Sequence, residues 1–371
     1  DTTVMKSNLC NRLVSLDVLR GFDMLFIMGL SSLIVAVSSL FPDVVFMKSL
    51  SEQMKHTQWD GLTLYDTIFP LFLFIAGVSF PYSLEKQRSD AKSVKEIHYR
   101  ILKRGFVLVV LGFVYNGIFK LDFENMRYAS VLGRIGLAWM FAALLFTNFK
   151  TNINIAVAII ILVGYWLLLW LIPDAINPYS FEDNIVGAVD RMLLPGRLNA
   201  ETFDPEGILS TLPAVVTALL GMFTGQFIKY QGSGISGKRK VHLMLVAAMI
   251  FLLVGYAWDL VFPINKNLWS SSFVCVLAGY SLLLLAIFYY IIDIKGWCRW
   301  AFFFKVVGVN SITIYLAQRI IDFKKITNFF MGGVIDLFPG EVGEIIKLTG
   351  YISVCWLFLY FLYKQKIFLK V

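Results

Sequence analysis

The chain has 371 residues, of which 58% are hydrophobic and only 16% charged, with a mean hydropathy of +0.72. Soluble domains are about 45–50% apolar and about 25% charged, so this composition excludes an ordinary soluble protein and leaves no room for a soluble domain. The formal charge of +8 sits on lysines and arginines flanking apolar runs, a membrane pattern that gives no reason to invoke nucleic acid.

Taken in order, apolar runs mark spans near residues 18–41, 66–84, 101–121, 131–148, 153–172, 208–229, 240–262, 270–292, 300–318 and 346–363. The expected fold is all-α, a polytopic integral membrane protein of about ten transmembrane helices. It reads as one domain over 1–371 with an N-terminal tail at 1–11. The start, DTTVMKSNLCNRLVS, has no apolar core before Leu16, so it is not expected to be a cleavable signal peptide. Between spans, residues 42–65, 173–207 and 319–345 read as polar loops, and PINKNLW at 263–269 reads as a tight turn.

An even number of spans places both termini on one side. That side holds 21 of the 33 Lys and Arg, most densely in KQRSDAKSVKEIHYRILKR (86–104). The positive-inside rule then makes the termini cytoplasmic and turns His56 outward. His98 and His242 fall on the opposite side from His56. Cys10, Cys275, Cys298 and Cys355 are scattered without ligand spacing. No disulfide and no metal site is expected. No GxSxG, Walker A, GxGxxG or HExxH occurs.

The stretch KHTQWDGLTLYDTIFPLFLFIAGVSF (55–80) carries the candidate chemistry. A lone interfacial histidine is usually inert, but His56 has acids nearby. On a short helix, Trp59 and Asp60 would share its face and Gly61 would end the turn. Asp66 enters the membrane with the next span, where a carboxylate is costly and needs a partner. Arg20 and Asp23 lie one turn apart in the first span, either as a self-compensating pair or with Arg20 as a phosphate anchor. Arg127 and Arg134, seven residues apart and expected on one helical face at the outer start of the fourth span, oppose the inside bias and suggest a polar cavity or an anionic ligand. Asp204, Glu206, Asn265, Lys266, Asn267 and Asn310 could line the same cavity, with ordinary solvation as the alternative for each.

The blocks RLVSLDVLRGF, KHTQWDGLTLYDTIFPLFLFIAGVS, VLGRIGL, AVDRMLL, DPEGILST, PINKNLWSSSFV, IIDIKGW and GVNSITIY follow one another in a single order. Together they resemble the heparan-α-glucosaminide N-acetyltransferase family. The resemblance implies acetyl transfer from cytoplasmic acetyl-CoA to the amine of a terminal glucosamine, or a related amino-sugar or glycan, across the membrane. It places the family's active histidine on His56 and its tryptophan, glycine and aspartate on Trp59, Gly61 and Asp66. The family's asparagine at the end of the first span falls on Ser31, and Asp60 stands where an asparagine is expected. It implies a bacterial-type form in an inner membrane, without the luminal domain of the animal enzyme.

Helices of 20 residues span about 30 Å, so the two substrates must meet inside the bundle. His56 would take the amine proton, with Asp66 as its partner. Ser31, Asn265 or Asn310 would donate to the oxyanion. Arg20, Arg127 and Arg134 would meet the CoA phosphates. Trp59, Asp60, Asp204, Glu206, Asn265, Lys266, Asn267 and Asn310 would face the acceptor. Direct transfer and an acetyl-histidine both fit. The partners are acetyl-CoA, the acceptor and membrane lipid, with a homodimer left open. An amino-sugar permease without chemistry, or a binding protein with a polar cavity, are the rival readings.

Overall fold

The structure is a computed structural model that describes residues 13–172, 177–230 and 235–369. The tail at 1–11 lies outside these described residues. The helices are α1 (Val14–Leu25), α2 (Ser31–Ser39), α3 (Val45–Gln53), α4 (Leu64–Ser89), α5 (Val94–Asn116), α6 (Val131–Asn148), α7 (Thr151–Leu171) and α8 (Ile185–Leu193). They continue as α9 (Thr211–Lys229), α10 (Gly237–Asp259), α11 (Ser271–Phe288), α12 (Phe302–Val309), α13 (Ser311–Ile320), α14 (Phe323–Leu337) and α15 (Glu341–Lys364). Pairing between extended segments is confined to isolated bridges among the described residues.

Among the described residues, eight helical runs are long and apolar enough to cross a membrane. They match eight of the ten expected spans, and the protein is a multi-pass integral membrane protein. The run expected at 101–121 belongs to α5, whose first half carries Lys95, Glu96, Arg100, Lys103 and Arg104 and is polar. A capping box starts this helix, with Ser93 Oγ accepting from Glu96 N–H and Glu96 accepting from Ser93 N–H. The run expected at 300–318 breaks at Asn310 into α12 and α13. The stretches read as loops at 42–65, 173–207 and 319–345 contain α3, α8 and α14.

The chain divides into two compact units. Of the described residues, the first holds 13–57, Thr63–Ile68 and 287–369. Here α1 crosses α12 with almost no side chain between them: a Cβ on Gly21 would fall 1.8 Å from Phe304 O, and one on Gly308 would fall 1.8 Å from Asp17 O. Such small-residue crossings let membrane helices gain dispersion contact directly between backbones. Met24, Met28, Val306, Val307, Ile314 and Cys355 form the buried centre.

Between α1 and α2 the helix widens into a π turn at Phe26–Leu30, with Gly29 at φ 126. Only glycine takes that conformation cheaply. The widened turn is answered by Ser31, whose Oγ donates to Phe26 O at 3.0 Å.

Of the described residues, the second unit holds Gln58–Leu62 and those within Phe69–Ala286. Its helices α6 and α9 pack over much of their length. The turn at 265–269 is sealed into it, with Trp269 fully buried and edge-on to Phe69 at 5.2 Å.

Candidate functional site

The residues around His56 are not helical. Helix α3 stops at Gln53, and the chain from Lys55 to Thr63 runs through bends before α4 begins. Gln53 Oε1 accepts from Leu64 N–H at 3.0 Å and ties the end of α3 to the start of α4. The expected helical face shared by His56, Trp59 and Asp60 is therefore replaced by an irregular loop. Gly61 does not end a helix. It turns the loop at φ 106 and donates its N–H to Ile264 O at 2.8 Å.

Asp66 lies in the first turn of α4, where the helix N-terminus favours a carboxylate. It is 1% exposed, and its Oδ1 lies 2.6 Å from His56 Nδ1. Oδ2 is held separately, by Thr57 N–H at 3.2 Å, Thr57 Oγ1 at 3.1 Å and Thr63 Oγ1 at 2.9 Å. One oxygen is thus anchored to the loop and the other is presented to the imidazole. A carboxylate on Nδ1 fixes the neutral tautomer with its proton there, which leaves Nε2 as the basic nitrogen. The His56 side chain is 55% exposed, and its ring lies 4.7 Å from that of Tyr65.

Beside this pair lies a cavity of about 780 Å³ within the first unit. Its lining includes Lys55, Tyr65, Ser31 and Gly29 on one part of the chain and Lys324, Glu341 and Tyr351 on another. Ser31 thus borders the cavity, although its hydroxyl proton goes to Phe26 O.

In the second unit, Asp60 and Asn265 meet: Asn265 Nδ2 donates to Asp60 Oδ1 at 3.2 Å. Asn265 also accepts from Leu268 N–H at 2.9 Å, which makes it the organiser of the turn that carries Lys266 and Asn267. Trp59 is an anchor. Its Nε1 donates to Tyr179 O at 2.8 Å, and its ring packs edge-on against Phe181 and Phe203.

A second polar cluster in that unit joins Arg127, Asp204 and Glu206. Arg127 precedes α6 rather than sharing a helical face with Arg134. Its Nε and Nη2 form a fork on Asp204 at 2.7 and 2.5 Å, and Nη2 also meets Glu206. Burial works against the Arg127 charge, but Asp204 and Glu206 outweigh it and hold the guanidinium above its ordinary range. Arg134 is 2% exposed, donates to Gly207 O at 3.2 Å and to Ser210, and lies over the Trp269 ring. Asp190, at the base of this loop, accepts from Asp204 N–H and Ile208 N–H. Burial pushes its carboxyl up to about 6, against the pull of those two donors.

Arg20 and Asn310 stand apart from these groups. Arg20 lies 3.6 Å from Asp17 rather than pairing with Asp23. Asn310 breaks the α12–α13 run and donates to Ile367 O at 3.2 Å, beyond the C-terminal end of α15. Sequence reasoning missed Thr57, Thr63 and Tyr65. Their signal was their place in the same eleven residues, 56–66, as His56 and Asp66. It also missed the α13–α15 residues at the cavity, which carry no local motif.

A family profile described as "Heparan-alpha-glucosaminide N-acetyltransferase, catalytic" matches residues 12–262. Heparan-alpha-glucosaminide N-acetyltransferase of Homo sapiens is 27% identical over 379 residues, covering 85% of this chain and 56% of the relative. The Mus musculus protein of the same name is 26% identical over 377 residues, with the same two shares. The chain thus spans little more than half the length of these curated relatives. The matched region contains His56, Asp66, Thr57 and Thr63, as well as Arg127, Asp204 and Glu206, and ends three residues before Asn265. With two thirds of its length under that profile, the chain belongs to the heparan-alpha-glucosaminide N-acetyltransferase catalytic family.

Proposed function

We propose that this protein is a membrane acetyltransferase that moves the acetyl group of acetyl-CoA to the amine of an amino-sugar, with His56 as the base. The observation that carries this reading is the His56–Asp66 pair, a solvent-reachable imidazole whose Nδ1 is held by a buried, separately anchored carboxylate. The names of the relatives support the reaction class, an N-acetyl transfer, and an amino-sugar acceptor.

An ammonium has no lone pair, so the acceptor must first lose a proton. The free amine then attacks the thioester carbonyl. His56 Nε2 takes the second nitrogen-bound proton as the C–N bond forms, the C–S bond breaks, and the imidazolium returns that proton to the departing thiolate. Asp66 stabilises the transient imidazolium without itself being protonated. The amide product and free CoA thiol balance the step.

The termini are assigned to the cytoplasm and His56 to the outer side on the distribution of Lys and Arg. On that assignment Arg20, on the basic side, is the arginine best suited to the CoA phosphates. Arg127 is committed to two carboxylates and Arg134 is sealed from solvent.

The test is release of CoA thiol by the purified protein on adding glucosamine to acetyl-CoA. His56→Ala should lose about 10²–10⁴-fold in rate. Wild-type turnover in a folded His56→Ala protein would refute the assignment. Glucosamine uptake into vesicles without thiol release would favour a permease.

A further inference from the structure

We propose that Tyr65 is a positioning residue for the base: its ring holds the His56 imidazole in one orientation and stabilises the imidazolium that forms during transfer. The inference rests on the acetyl-transfer reading and deepens it at the same site. The resemblance that places His56, Trp59, Gly61 and Asp66 gives Tyr65 no part.

The His56 side chain is 55% exposed, so it has room to change rotamer. Its Nδ1 meets Asp66 Oδ1 at 2.6 Å. A contact at one ring atom fixes a point and leaves the plane free to swing about it. The Tyr65 ring supplies a second contact, with centroids 4.7 Å apart and planes inclined at 50°. That separation is in the range of attractive aromatic pairs. Two contacts from different directions fix the plane, and with it the direction in which Nε2 reaches for a proton.

Both contacts come from one rigid piece of chain. Tyr65 and Asp66 are consecutive residues in the first turn of α4. Successive side chains on a helix point about 100° apart, so one turn offers the carboxylate from one direction and the phenol ring from another. The turn is itself tied down. Gln53 Oε1 accepts from Leu64 N–H at 3.0 Å, and Asp66 N–H donates to Thr63 O at 3.1 Å. Tyr65 is half-buried, and it lines the cavity beside the base.

Charge points the same way. When His56 takes the amine proton it becomes a cation, and an aromatic ring within about 6 Å attracts a cation. The attraction grows as the proton arrives, so it favours the transition state over the ground state.

The experiment reads CoA thiol release with glucosamine for the full chain in detergent, with circular dichroism as the folding control. Tyr65→Leu should lower kcat about tenfold with KM nearly unchanged, the sum of a lost cation–π contact and lost orientation. Tyr65→Met is a second ring-free variant and should behave alike. Tyr65→Phe keeps the ring and should rescue most of kcat. Beside His56→Ala, Tyr65→Leu should cost nothing further, because a residue that acts through the base has nothing left to hold. An equal loss in Tyr65→Phe would assign the effect to the hydroxyl and overturn the inference. A loss confined to KM would overturn it by making Tyr65 an acceptor contact. So would an undiminished loss beside His56→Ala, or wild-type kcat in both ring-free variants. No thiol release from the wild type is a different result, which removes the transfer reading and with it the base that Tyr65 would hold.

Discussion

Thr63 donates its hydroxyl to Asp66 Oδ2 at 2.9 Å and has a competing acceptor, Lys55 O, at 2.7 Å. One proton serves one acceptor at a time, so the anchoring of Asp66 depends on which of the two Thr63 addresses. Thr57 supplies the other two donors to the same oxygen.

The base pair should therefore respond in graded fashion. Asp66→Asn keeps the shape but removes the charge that supports an imidazolium, and should cost about 10²-fold or more in kcat. Thr63→Val removes one of three anchors and should cost about fivefold, the equivalent of one hydrogen bond near 1 kcal/mol. Thr63→Ser should restore most of that. Steady-state kinetics with circular dichroism as the folding control decides the matter, and equal kcat for Thr63→Val and wild type would count against the anchoring role.

The arginines should separate into structural and donor-facing kinds. Arg127→Lys cannot reproduce the two-pronged contact with Asp204, which is fully buried. Breaking a buried charge pair costs about 3–5 kcal/mol, so Arg127→Ala should lower the unfolding temperature sharply. Arg20→Lys should leave stability nearly unchanged and weaken acetyl-CoA binding, measured by calorimetry. Unchanged donor affinity in Arg20→Lys would remove that residue from the phosphate site.

Asp190 should give the stability curve a definite slope. Its carboxyl titrates near 6 in the fold, against 3.8 ordinarily. Between those values the folded state holds a proton that the unfolded chain has released. Stability from this group is therefore present at low pH, falls as pH rises from about 4 to about 6, and is flat above. Unfolding temperatures of wild type and Asp190→Asn in detergent across pH 4 to 8 should converge in slope above pH 6 and diverge below it. Parallel curves over the whole range would contradict the assignment.

The α1–α12 crossing should tolerate no added atom. Gly21→Ala places a methyl group 1.8 Å from Phe304 O, and the two backbones must separate. Overpacking of this kind costs about 1–3 kcal/mol or more. At Gly164 on α7 nothing lies within 4 Å of an added Cβ, so Gly164→Ala should be neutral or mildly stabilising. Thermal unfolding monitored by tryptophan fluorescence (both variants beside wild type) separates the two cases.

Hydropathy made eight spans legible because a bilayer-crossing helix needs a long apolar run and little else. It misled at 300–318, where a single Asn310 interrupts an otherwise apolar stretch, and at 319–345, where Lys324, Lys325 and Asp336 mask the helical period of α14. In the candidate site, His56 and Asp66 could be paired on paper because only ten residues separate them. Arg127 with Asp204, 77 residues apart, and Asp60 with Asn265, 205 apart, are products of tertiary packing that no local spacing encodes. The helix expected around His56 failed for a local reason. The segment from Lys55 to Thr63 turns on Gly61 and spends its polar groups on Asp66, Ile264 and Asn265 rather than on a helical ladder.

The bond from Asn310 to Ile367 has a practical side. Asn310 is 2% exposed, and its amide reaches a carbonyl in the segment that follows α15. Cutting the chain after Lys364 would strand that amide in a buried helix break, at a cost of about 1–3 kcal/mol. A shortened variant must therefore keep Ile367, whose own N–H donates to Leu362 O at 2.9 Å, and the ring of Phe368, which lies 6.3 Å from that of Tyr363.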